Sequence, residues 1–192
     1  MTVKELILAN RSFRRFDESI PVGREELVEM VDCARCSASA ANRQPLKYIL
    51  AWTKDMNERI FPTLAWAAYL KDWKGPAKGE RPSGYIIILN DKRIHPQAGI
   101  DPGIACQSIL LKAVEDGLGG CIIATVKKQE LAAALHIPQY LDILVVIAVG
   151  KPVETVVLEE VKEDGDIKYY RDEQGVHHVP KRKLSDIIVE FG

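Results

Sequence analysis

With 192 residues the chain is long enough for one domain with a sizeable core, or one domain with an extension. Its 47% hydrophobic and 28% charged residues suit a globular protein, and a net charge of −1 gives no bulk field to attract nucleic acid or an anionic membrane. The opening residues Met1-Thr2-Val3-Lys4-Glu5 mix charges without the apolar stretch of a signal peptide, and the longest apolar run, Ile143 to Val149, is too short for a bilayer, so the expected location is cytoplasmic.

Residues 3–9 read as a short helix and residues 24–36 as a stronger one, with Leu27, Val28, Val31 and Ala34 at helical spacing. Pro45 opens a strand from Leu46 to Trp52. Residues 55–71 read as helical in part, broken at Pro62, and Trp66, Tyr69 and Trp73 stand at i, i+3 and i+7, the spacing of one helical face. That face suits either a core or a platform for planar aromatic molecules. Residues 74–84 have the composition of a loop, and Tyr85 to Leu89 that of a buried strand.

The longest predicted helix covers 99–116, with Ile104, Ile109, Leu110, Ala113 and Val114 on its apolar face and Gly117 at its end. A strand follows from Gly119 to Thr125, a short helix over 127–135 closed by His136-Ile137-Pro138, and an apolar strand from Leu141 to Val149. Beyond Gly150-Lys151-Pro152 the pattern changes. Residues 155–179 alternate, with turn signals at Glu163-Asp164-Gly165-Asp166 and Asp172-Glu173-Gln174-Gly175, and predict two hairpin turns in an extended β arm. The class is mixed α and β, without an internal repeat, and spacing alone leaves the sheet's direction open. Cys33 and Cys36 form a C-x-x-C inside a helical pattern, with no second pair or Cys–His pair at zinc spacing, and no metal is assigned.

Three stretches carry cations or small hydrogen-bonding side chains: Arg11-Ser12-Phe13-Arg14-Arg15-Phe16, Ser37-Ala38-Ser39-Ala40-Ala41-Asn42-Arg43-Gln44-Pro45, and Lys181-Arg182-Lys183. A phosphate asks for charge-assisted donors, and a heterocycle's polar edge for amides and hydroxyls. Together they suit one phosphorylated ring, FMN. Each has a plainer reading: solvated basic surface for the cations, an ion pair with Asp17 or Glu18 for Arg14, and turn formation for Ser39 and Asn42.

These stretches, with Asp101-Pro102-Gly103-Ile104-Ala105-Cys106-Gln107, Gly117-Leu118-Gly119-Gly120-Cys121, Ile137-Pro138 and Val149-Gly150-Lys151-Pro152, resemble in order the FMN-dependent nitroreductase family in its short form. The chain departs from that pattern at Asn10, where many members have Arg, at Leu46, where they have Trp, and in residues 60–80, which lack an Asn-Glu-Arg-Lys-like segment.

The resemblance implies an α+β, sandwich-like nitroreductase fold as a single domain over 1–192. It implies a central, mostly antiparallel sheet flanked by helices, with 155–192 as an arm crossing to a dimer partner. It implies FMN at a homodimer interface, reduced by NADH or NADPH and reoxidised by a nitroaromatic, quinone or related acceptor in a ping-pong cycle, with no catalytic side chain because the chemistry is on the flavin. FMN-dependent dehydrogenation, reductive removal of a substituent, or a non-enzymic flavin-binding dimer are the alternatives. Arg11, Ser12, Lys181 and Lys183 would hold the phosphate, and Arg14 the pyrimidine edge. Ser39, Asn42 and Gln44 would meet ribityl or ring atoms. Gly119 and Gly120 would let backbone approach the ring, with an N–H near Ile122 facing N5.

Overall fold

The computed structural model describes residues 1–190, so the last two residues of the predicted arm lie outside the described residues. Helix α1 (Val3–Ala9) starts at a capping box in which Thr2 and Glu5 satisfy each other's backbone N–H groups. A two-residue strand, β1 (Phe16–Asp17), precedes helix α2 (Arg24–Arg35). Then come strand β2 (Leu46–Ala51), helix α3 (Lys54–Ile60), strand β3 (Gly84–Asp91), helix α4 (Asp101–Glu115), strand β4 (Gly119–Ile123), helix α5 (Lys128–Leu135) and strand β5 (Leu141–Pro152). His136 caps α5 in the left-handed region at φ 53°.

Five strands form one antiparallel sheet in the order β1-β5-β3-β2, with β4 beside β1 on the same edge of β5. Along β3, Ile86 and Ile88 point into a core layer shared with α2 and α4, whereas Tyr85, Ile87 and Leu89 point into a second layer shared with Ile60 of α3 and Leu131 of α5. The period of two along the strand thus feeds two apolar layers. Both faces are covered, so β3 is buried throughout and its sequence reads as a continuous apolar run.

Beyond β5 the chain makes a second, mixed sheet from β6 (Val156–Glu160), β7 (Tyr170–Arg171) and β8 (His177–Lys181). β8 lies in the middle, parallel to β6 and antiparallel to β7. The turn at Asp172–Gly175 is a hairpin turn, as its residues predict. The turn at Gly165 exists but joins no hairpin, because β6 pairs with β8 and not with β7. This tail folds back on its own body: Tyr169 meets Tyr69, and Arg171 pairs with Glu154. Residues 162–168 and 181–190 stay exposed throughout.

Two other expectations are corrected. The helix around residues 55–71 ends at Ile60, a short 3₁₀ turn follows at Phe61–Thr63, and Trp66, Tyr69 and Trp73 sit on irregular chain. Trp66 is buried edge-on to Trp73, and Tyr69 is exposed. Val28 is exposed, while Met30 fills the core instead. No helix among the described residues is long and apolar enough to cross a membrane.

Candidate functional site

Strand β1 is too short to stand out in the sequence, yet it positions the basic stretch. Phe16 and Asp17 extend the sheet along Pro152 and Lys151 of β5, and Val153 N–H donates to the Arg15 carbonyl (3.1 Å). Ser12 forms a bridge with Gly120 of β4, and Phe13 N–H donates to the Gly120 carbonyl (3.0 Å). Residues 11–16 are therefore threaded between β4 and the far end of β5, and the tail sheet closes over them.

A cavity of about 280 Å³ opens there, lined by Arg11, Ser12, Arg14, Gln107, Ile122, Tyr169, His177 and Lys181 among others. Its cations face no lining carboxylate. The Arg11 guanidinium reaches the Ile7 carbonyl at the end of α1 (2.6 Å), while its Nε is buried without a partner. Burial lowers the pKa of Arg11. Arg14 donates to the Ser12 carbonyl (3.1 Å), lies over the Tyr169 ring at 5.0 Å and stands 3.3 Å from His177 Nε2.

His177 is 1% exposed, and burial, helped by the charges of Arg14 and Arg171, pushes its pKa down to about 4. It is neutral at pH 7, so Nε2 can accept from Arg14 and the proton sits on Nδ1, which is buried without a partner. An orphaned Arg11 Nε and an orphaned His177 N–H beside cations that have no ion pair among the described residues fit an anionic, hydrogen-bond-accepting group.

Arg14 makes no ion pair with Asp17 or Glu18: Asp17 accepts from Ser19, and Glu18 from the Gly79 N–H. The adjacent Arg15 is taken by Glu80, with Nε–Oε2 at 2.9 Å and Nη2–Oε1 at 2.5 Å. One residue that sequence reasoning missed, Glu154, fixes the geometry. Its buried carboxylate accepts from the Arg14 backbone N–H and from Arg171 Nη2 (2.8 Å). A lone Glu after Lys151-Pro152-Val153 gives no signal of burial in sequence.

Arg14, Ile122 and Tyr169 also wall a second cavity of about 240 Å³, which is completed by residues 65–68, Cys121 and residues 123–125. Trp66 lines it, and its indole N–H is buried without a partner.

Ser39 and Gln44 line a different cavity, of about 200 Å³, with Asp101 and Ala105 of α4, and no residue lines both it and the basic cavity. Ser39 Oγ donates to Asp101 Oδ2 (2.5 Å) and accepts from the Gln44 N–H (2.9 Å), and Ala40 N–H donates to Asp101 Oδ1 (2.9 Å). Asp101, a second residue missed in sequence, is thus the anchor of this loop. Ala41, Asn42 and Gln44 all have positive φ, at 51°, 52° and 51°. Non-glycine residues in that region cost about 1 kcal/mol or more each and persist only where the surroundings hold them, often at binding sites. Asn42 Oδ1 accepts from Gln44 Nε2 (3.0 Å), and both residues are exposed.

The ten site residues expected from sequence therefore divide. Arg11, Ser12, Arg14 and Lys181 meet in the basic cavity, and Ser39 and Gln44 in the other. Asn42 and Lys183 are exposed and line neither. Gly119 and Gly120 answer to the fold. A Cβ on Gly119 would lie 2.6 Å from Phe13, and one on Gly120 would run into the Ala148 carbonyl and Leu110. Their missing side chains let the basic stretch and α4 close on β4.

The model of the nitroreductase family matches residues 7–151, which covers the whole central sheet apart from Pro152 and leaves β6–β8 outside. A protein of Methanothermobacter thermautotrophicus, provisionally named NADH dehydrogenase/NAD(P)H nitroreductase, is 29% identical over 163 residues, 80% of this chain and 79% of that one. A nitroreductase family protein from Streptococcus pneumoniae TIGR4 shares the fold over 99% of this chain and 100% of its own, with a TM-score of 0.70 at 14% identity. An FMN-dependent nitroreductase from Clostridium difficile R20291 superposes over 77% of this chain and 86% of its own, with a TM-score of 0.59 at 20% identity.

Proposed function

The chain belongs to the nitroreductase family, and on that footing we propose that it is a cytoplasmic FMN-dependent NAD(P)H oxidoreductase working as a homodimer, with each flavin held between two copies. The observation that carries this reading is the division of the expected ligands. The cations and the amide–hydroxyl loop line separate cavities of one chain, which supports a ring that would draw one set from each of two copies.

Exposed apolar surface supports association. Val3, Ile7 and Leu8 on α1 and Ile100 beside α4 are 44–72% exposed, as are Leu184, Ile187, Ile188 and Val189 of the tail, at 52–72%. Strand β2 lies at the sheet's edge with no neighbour beyond it among the described residues, a surface that an extended segment from a partner could cover. In this reading the arm that crosses begins at residue 182, not at 155.

Arg11, Ser12 and Lys181 would hold the phosphate, with Lys183 adding charge from outside the cavity. Arg14 would stand at the polar edge of the ring, its guanidinium kept clear of an ion pair because His177 beside it is neutral and Glu154 takes the backbone N–H instead of the side chain. Ser39 shapes the opposite loop so that Asn42 and Gln44 face outward toward the partner copy's ring. Bound FMN would supply the hydride chemistry between NAD(P)H and an acceptor. Ile122 and Tyr169 would limit water beside it. The cavity walled by Trp66 and the alanines at 65, 67 and 68 suits a planar acceptor of one or two rings, such as a nitroaromatic or quinone.

The visible spectrum of the purified protein tests this. Flavin absorbance that bleaches on anaerobic addition of NADH or NADPH is the expected result. A protein that takes up no flavin when FMN is added would overturn it.

A further inference from the structure

A fourth cavity, about 240 Å³ in volume, shares no lining residue with the basic cavity, the Trp66 cavity or the Ser39 cavity. It lies between the loop after β1 (Glu18, Pro21), the end of β2 (Trp52), α3 (Lys54, Asn57, Glu58) with Phe61, and the start of β3 (Arg81 to Ser83 and Tyr85). Trp52, Phe61, Pro82 and Tyr85 give it flat apolar walls, and Trp52 is 39% exposed.

Two of its polar atoms are unsatisfied. Asn57 donates through Nδ2 to the Ser83 carbonyl (2.7 Å), and its Oδ1 is buried with no donor. The Arg81 guanidinium lies over the Phe61 ring at 4.2 Å, and its Nε is buried with no acceptor. Buried polar groups are nearly always paired, so an orphaned acceptor and an orphaned donor in one cavity ask for a ligand offering the converse pair.

The charges narrow the ligand further. Glu58 is near Lys54 (3.8 Å), and Glu18 accepts from the Gly79 N–H. Arg81 alone of the four has neither an ion-pair nor a hydrogen-bond partner named among the described residues, so its guanidinium is the charged group left to meet a ligand. The volume suits a single ring, and the aromatic walls suit a flat one.

We propose that this cavity is a second ligand site, which binds a small aromatic acid bearing a hydroxyl or ring N–H: the carboxylate on Arg81, the donor on Asn57 Oδ1, and the ring against Trp52 and Phe61. The site stands independently of the flavin reading. Calorimetric titration of the full chain with the hydroxybenzoate isomers, with benzoate and phenol as controls, tests it.

The expected result is one saturable site per chain for at least one hydroxybenzoate, bound more tightly than benzoate or phenol. Arg81→Met keeps an apolar stem over Phe61 and should weaken binding about tenfold or more. Asn57→Leu should erase the advantage over benzoate, and Arg14→Ala, in the basic cavity, should leave the titration unchanged. Thermal melts of each variant show that it is folded. No isomer binding more tightly than benzoate would overturn the proposal, as would binding that survives Arg81→Met or is lost in Arg14→Ala.

Discussion

Strands β3 and β8 each run through the middle of a sheet, but different forces hold them there. β3 is buried from end to end between two apolar layers. β8 has intermediate exposure along most of its length, and its sheet is fixed to the body by polar and aromatic contacts: Arg171 between Glu154 and the Trp73 ring, Tyr169 against Tyr69 and Arg14, and His177 beside Arg14. Apolar burial gives the central sheet a single cooperative core. The tail, which adds His177 and Lys181 to the basic cavity, depends on a few charged groups and should open separately.

The sharpest way to test that contrast is to weaken each sheet in turn. Ile147→Ala, at a fully buried position of β5, should lower global stability by about 2–5 kcal/mol in urea unfolding. Glu154→Ala strands Arg171 and the Arg14 N–H, a loss of about 3 kcal/mol for a buried pair. Its effect should fall on the tail: amide exchange should speed up across residues 155–181 while β3 and β5 keep their protection. Equal loss of protection in both sheets would merge the two regions into one.

Lys181→Ala should weaken FMN binding about tenfold, ~1.4 kcal/mol, because it removes one charge-assisted contact. Lys183→Ala, outside the cavity, should cost less, and equal losses would argue for a different phosphate seat.

The tail should also respond to pH, because two adjacent histidines pull in opposite directions. His178 is held by Asp172 (3.0 Å) and Glu159 (3.2 Å), with Tyr170 stacked on it, and its pKa is raised, first by the Asp172 hydrogen bond. That contribution is complete below the ordinary histidine value near 6.5 and is lost as pH rises through the raised folded value. His177, pushed down to about 4 by burial, favours the fold above the ordinary value and opposes it as pH falls from there toward 4. Protection of the tail amides, taken relative to intrinsic exchange at each pH, should therefore peak in a mildly acidic window and fall on both sides. His178→Gln should remove the alkaline side alone.

Much of this was legible in sequence, and the misses have physical causes. Helices α1 and α2 follow from periodicity, and the starts of β2 and β5 from the punctuation at Pro45 and Pro138. Strand direction was not legible, because β3 lost its alternation when both faces were covered. The spacing of Trp66, Tyr69 and Trp73 imitated a helix where the chain only turns. In the site, the cations and the Ser39 loop were readable by residue type. Their anchors, Glu154 and Asp101, were not, since a carboxylate's burial is set by distant partners: Arg14 and Arg171 for one, Ser39 and Ala40 for the other.

If one flavin takes its ligands from two copies of the chain, a mixed dimer can separate the two halves of the site. One copy would carry Arg11→Ala and Lys181→Ala, the other Asn42→Ala and Gln44→Ala, and FMN would be titrated into the purified heterodimer. Shared sites leave one seat intact, so one FMN per mixed dimer at wild-type affinity is expected, although neither variant alone binds it well. A mixed dimer that binds no better than its parents would place all the ligands on a single chain and contradict the account.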